Sequence, residues 1–230
     1  MQHDICSYCF VDNHPLPLPI LAAFLRLGRK YDIQQLQAEA LRRLTFEFPS
    51  TLEEFDRLDT AYTLIDCGVD TFLLAVIHIA RESDCLSVLP TALFQFCERY
   101  GVKGMIEALR QSDGTGYEMS LADQRLAVAG WHTLIEMQAK ETFAWLVNND
   151  ACPQPDACGK GKNTILHTVW FPVPNSGMAL MRWSSTWEKK FCKTCIRRSK
   201  LLHNEGRQKI WDELPGIFGL PGWEELTRQK

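Results

Sequence analysis

The chain is predicted to be mainly α-helical, a helical bundle carrying a small irregular C-terminal module. Three observations lead there. Apolar residues recur at helical spacing through the first 150 residues while strand signals are sparse. Beyond Cys152 that periodicity fades as Pro, Gly, Trp and Cys become common, and two cysteine pairs punctuate this second stretch. The expected segments are 1–48, 49–150 and 151–230.

Each helix has its own warrant. A proline-rich approach, Pro15 to Pro19, precedes Ile20, Leu21, Phe24, Leu25 and Leu27, which fit one short helix ending near Gly28. Asp32 is expected to cap a second helix, with Gln35 three positions on and Ile33, Leu36, Ala40, Leu41 and Leu44 on one stripe. The two should pack together. After the break at Pro49, Thr51 followed by Glu53 and Glu54 starts another helix with acidic residues at its positive end. Thr71 to Arg81 is apolar nearly all round, so that helix belongs in the middle of a bundle. Leu86 to Arg99 makes a further helix that tolerates Pro90 only in its first turn, and Gly101 and Gly104 loosen the chain after it. Ser112 to Gly116 reads as a loop. Ser120 with Asp123 caps a long helix in which Trp131, Ile135, Ala139, Phe143 and Leu146 repeat at spacings of three to four.

Composition narrows the functional classes. With 46% hydrophobic residues in 230, a real core can be buried, and a net charge of −3 demands neither nucleic acid nor an anionic membrane as partner. No apolar run reaches the ~20 residues that span a bilayer, and Met1-Gln-His-Asp lacks the features of a signal peptide. Nine cysteines is an odd number, and Cys67, Cys85 and Cys97 lie in apolar stretches where a free thiol acts as a small hydrophobe. A reducing cytoplasmic or nuclear setting is expected.

Cys152-x5-Cys158 and Cys192-x2-Cys195 carry the sharpest chemistry. Four soft thiolates can close a tetrahedron round one zinc ion, and the tight second pair is the knuckle of zinc ribbons and fingers. One structural zinc on Cys152, Cys158, Cys192 and Cys195 is expected, with the 33 residues between the pairs closed into a loop and the ion stabilising a tail whose own core would be small. His167 and His203 are the alternative ligands. Lys160, Lys162, Lys189, Lys190, Lys193 and Arg197 stand beside the cysteines to offset a site charge near −2. A closed structural site has no open coordination position, so no enzyme is implied.

Other patterns carry less. Eight basic against two acidic residues between Glu188 and Lys209 read as a solvated face plus that counter-charge, with a phosphate-binding stripe as the rival. Trp183, Trp187, Phe191 and Trp211 fit a packed core better than a base-stacking platform. Cys158-Gly-Lys-Gly-Lys-Asn-Thr resembles a phosphate loop but has Asp156 where the first glycine belongs and Asn163 where Ser or Thr belongs. His78 and His132 are expected as hydrogen-bonded core or boundary histidines.

Lys30, Tyr31, Asp32, Leu36 and Leu44, set within Leu21 to Leu44, match the text of the closing helical pair of the BTB/POZ domain. The Arg26–Tyr31 step, the Phe48–Glu54 break, the Leu86–Leu93 helix and the Gly206–Pro215 ending resemble the regions that follow it in a group of fungal BTB-domain proteins. The likeness covers nearly the whole chain. It implies an adaptor that recruits protein partners, with cullin ubiquitin-ligase scaffolds among them. A full BTB domain runs to about 110 residues, whereas twenty precede Leu21. A reduced or truncated member without the dimerisation surface and without much of the surface for cullin scaffolds is therefore expected, its oligomeric state open. Trp211 and Trp223 are candidate anchors for a partner, Trp211 being expected instead to pack inside. A nucleic-acid-associated regulator using the zinc module and the basic stretch is the alternative.

Overall fold

The computed structural model describes residues 14–58, 62–66, 72–110, 119–148, 152–172, 174 and 176–228. Cys67, Thr71 and the Ser112–Gly116 loop lie outside them. In chain order the elements are β1 (Leu16–Pro17), α1 (Leu18–Tyr31), α2 (Gln34–Glu47), α3 (Leu52–Arg57), β2 (Ile65–Asp66), α4 (Phe72–Glu82), a 3-10 turn (Leu86–Val88) and α5 (Leu89–Arg110). Then come α6 (Leu121–Met137), a π turn (Gln138–Thr142), a 3-10 turn (Ala144–Leu146), α7 (Pro155–Trp170), a 3-10 turn (Ser176–Leu180), α8 (Ser185–Glu188), α9 (Lys193–Ile217) and α10 (Trp223–Arg228). The fold is mostly helical, as the periodicity requires.

Two compact units result, interleaved along the chain, and this partition differs from three successive segments. The first gathers 1–92, 111–119 and 223–230; the second gathers 93–110 and 120–222. In the first unit α1 starts with Pro19 in its first turn, where a missing N–H costs nothing, and buries Leu18, Leu21, Ala22, Leu25 and Gly28. Ile20 and Leu27 face out instead. The α1–α2 corner differs from the expected cap: Asp32 sits at φ 54° as the left-handed end of α1, its N–H on the Gly28 carbonyl, while Ile33 precedes α2 with no side-chain cap. A short polar side chain tolerates that conformation. The expected pair does pack together, through Ala40 and Leu44 on α2.

The same face of α2 carries a buried guanidinium. Arg43 bonds Glu39 at 2.7 Å and the carbonyls of His14 and Leu64 at 2.7 and 2.8 Å. One turn on, Glu47 accepts the Thr63 and Leu64 N–H groups at 2.7 and 2.5 Å. These bonds tie β1 and β2 into a two-stranded parallel pair, Leu16 opposite Ile65. Thr51 caps α3 as expected, accepting from Glu54 N–H, and the apolar α4 is buried along most of its length.

In the second unit Ser120 caps α6 through Asp123 N–H, as its spacing predicts. The buried face is Ala127, Gly130, Leu134, Gln138 and Thr142, one position away from the expected stripe, and Ala139 is exposed. The expected Phe143 and Leu146 are buried all the same: the π turn inserts a residue into the helical register between Leu134 and Phe143, so that Phe143, Trp145 and Leu146 swing inward just past it. Those three join Ile165 and Val169 of α7 and Trp187 of α8 in one aromatic-rich core. The tail beyond Cys152 is thus largely helical and shares a core with residues before it, a correction to the expected irregular stretch with little core of its own. Trp211 is buried, as expected for a packed residue.

Candidate metal centre

Two helix beginnings bring the cysteines together. Cys152 lies three residues ahead of α7 and Cys158 just inside it; Cys192 is the residue before α9 and Cys195 lies in its first turn. All four Sγ atoms lie within 4.8 Å of one another, and those of Cys152 and Cys195 are 3.3 Å apart. Zinc–sulfur bonds of about 2.3 Å in a tetrahedron place sulfurs about 3.8 Å apart, which falls inside that range. The four residues could hold a metal ion.

The backbone supports thiolates there. Gln154 N–H donates to Cys152 Sγ at 3.4 Å and Cys192 N–H to Cys158 Sγ at 3.3 Å. The Cys195 N–H donates to Cys192 Sγ and draws that thiol down to about 7. Burial pushes the thiols of Cys158 and Cys195 up; a bound divalent cation deprotonates coordinating thiols outright. The amino ends of α7 and α9, both positive poles, converge on the sulfurs.

Close packing fixes the two segments. A Cβ on Gly161 would stand 2.7 Å from the Lys190 carbonyl oxygen and 2.9 Å from its Cβ, so only glycine lets α7 approach the backbone ahead of Cys192. Lys162 is buried, its ammonium donating to the Asn148 carbonyl, whereas Lys160, Lys189, Lys190, Lys193 and Arg197 are exposed. The Gly-Lys-Gly-Lys stretch is helix interior, not a phosphate loop. Its spacing already argued against the loop, but nothing in it disclosed the close approach at Gly161.

Neither alternative ligand joins the cluster. His167 is exposed on α7, nine residues beyond Cys158, or about 13 Å along the helix axis. His203 is wholly buried: Trp145 Nε1–H donates to its Nδ1 at 3.3 Å, and its Nε2 meets the Met181 carbonyl at 2.8 Å. An indole nitrogen only donates, so Nδ1 is the acceptor and Nε2 carries the proton. Phe143, Trp183 and Trp187 pack edge-on around the same ring. Trp183, Trp187 and Phe191 are core, as expected. His132 is a correction: it lies on the solvent face of α6, 72% exposed beside Glu136, while His78 is half-buried on α4. Sequence reasoning missed the burial of Lys162 on the Asn148 carbonyl and the Trp145–His203–Met181 chain, which join residues far apart in sequence.

Fold and site together define a mostly helical protein with a four-cysteine cluster able to hold a metal ion. No family model, curated protein or solved structure matches the chain. Among the described residues no helix is long and apolar enough to cross a membrane.

Proposed function

We propose that the chain is a protein–protein adaptor of the BTB type, working in the cytoplasm or nucleus without catalysis of its own, and that Cys152, Cys158, Cys192 and Cys195 hold one structural zinc ion. The observation that carries the metal reading is the gathering of four sulfurs from segments 34 residues apart, three of them accepting backbone N–H groups. Four protein ligands fill a tetrahedral ion's coordination and leave no site for an exchangeable water, which favours a scaffold over a hydrolytic centre. The adaptor reading is supported by the residues of α1 and α2 that resemble the closing BTB pair, with Lys30 and Tyr31 ending α1 and Asp32 turning the corner. A cullin scaffold is the partner that resemblance implies.

Elemental analysis of the purified chain tests the metal: one zinc per chain is expected, lost in Cys192→Ser/Cys195→Ser. Cobalt substitution should give the spectrum of four thiolates. A metal-free wild type, or a spectrum with an open position, overturns the centre. Titration of the full chain with a purified cullin tests the adaptor role. Tight DNA binding that falls steeply with salt, with no cullin binding, would instead establish the nucleic-acid regulator.

A further inference from the structure

The cations around the cysteines exceed what the sulfurs need. Lys160, Lys189, Lys190, Lys193 and Arg197 are all exposed, and none has a carboxylate partner among the described residues. They belong to one neighbourhood. Gly161 packs on the backbone of Lys190, which brings the Lys160 end of α7 against the Lys189–Lys190 segment. Lys193 follows Cys192, and Arg197 stands one turn further along the same face of α9. A zinc ion on four thiolates carries about −2, and Asp156, one turn ahead of Lys160, adds one more negative charge. Five cations still leave a surplus, and the positive pole of the 25-residue α9 adds to it.

Further along α9 the basic residues are already answered. Lys200 lies 3.6 Å from Glu188, Arg207 donates to the Leu180 carbonyl at 2.9 Å and Lys209 meets Glu141 at 2.5 Å. The unanswered charge is therefore confined to the start of a helix about 37 Å long. Past Lys200 the exposed surface of α9 also carries Glu205, Asp212 and Glu213. A long polyanion lying along α9 would run off this patch onto those carboxylates, whereas a short one would not.

We propose that Lys160, Lys189, Lys190, Lys193 and Arg197, gathered around the four-cysteine centre, form a docking surface for a short acidic segment of a partner protein. This rests on the adaptor reading and gives its partner a chemistry. The test is fluorescence anisotropy of a labelled oligoglutamate peptide against the full metal-loaded chain, with a short DNA duplex as rival probe. The peptide is expected to bind, to weaken with added salt, and to lose about tenfold or more in affinity on Lys189→Glu/Lys190→Glu/Lys193→Glu/Arg197→Glu. Metal content and helicity report whether that variant is intact. If it loses metal, Lys189→Gln/Lys190→Gln/Arg197→Gln leaves the neighbour of Cys192 untouched and should still weaken the peptide. Equal peptide affinity in an intact variant overturns the surface. So does absence of peptide binding by a chain that holds its ion, an outcome that leaves the adaptor reading standing. Tighter binding of the duplex at the same salt overturns both.

Discussion

At His203 the two ring nitrogens are committed in opposite senses, one accepting from Trp145 and one facing the Met181 carbonyl, so a second proton would set N–H against N–H. Burial first, then the charge of Arg207, holds this imidazole down to about 4. The unfolded chain takes up the proton near pH 6.5 and the folded chain does not. Stability is therefore unaffected above about pH 6.5 and falls as the pH drops from there toward 4, by about 3 kcal/mol in all. Urea unfolding across this range should show wild type losing about 3 kcal/mol more than His203→Gln, since protonation of the thiolates is common to both. Gln138 offers the opposite case. It is buried with both side-chain polar atoms lacking a partner among the described residues, so Gln138→Met should raise stability by about 1 kcal/mol or more in the same assay. Neither residue was legible beforehand. A histidine in a basic run near cysteines reads as a spare metal ligand and a glutamine between the apolar positions of a helix as its polar face, and only contacts made across tens of residues reveal otherwise.

Among the elements, α7 separates two glycines of opposite meaning. Nothing lies within 4 Å of a Cβ built on Gly159, whereas Gly161 abuts Lys190. Gly159→Ala should therefore stabilise the helix by about 0.5–1 kcal/mol. Gly161→Ala should destabilise by about 1–3 kcal/mol and weaken metal binding, because backbone must move. Thermal unfolding and a competitive zinc indicator read both. Helices α1, α3, α4 and α6 were legible because periodicity, Pro19, Thr51 and Ser120 all act locally. The Asp32 corner and the α6 stripe were not. Asp favours both a helix start and a left-handed end, and one residue inserted by the π turn puts Phe143 and Leu146 out of register with the face before it, so a single stripe drawn through them misses Gly130 and Leu134.

For the whole molecule, the cysteine cluster was legible because metal-ligand spacing is a short-range signal, while the core beside it was not, because Phe143, Trp145 and Leu146 reach it from ahead of the first cysteine. That core changes what chelation should do. Hydrogen exchange after metal removal should quicken in α7 and in the first turns of α9. The later part of α9 should stay protected, since Gly206 packs directly on the Glu141 carbonyl and Arg207 and His203 hold residues 180 and 181. Uniform loss of protection through 152–217 would show that the ion, not the aromatic cluster, organises this unit. Because the sulfurs meet only when two distant stretches of chain are already in place, an ion bound there recognises the folded form and not the unfolded one. Each tenfold change in free ion above its dissociation constant then shifts the folding equilibrium by about 1.4 kcal/mol. The folding free energy becomes a logarithmic gauge of the metal ion that the surroundings supply.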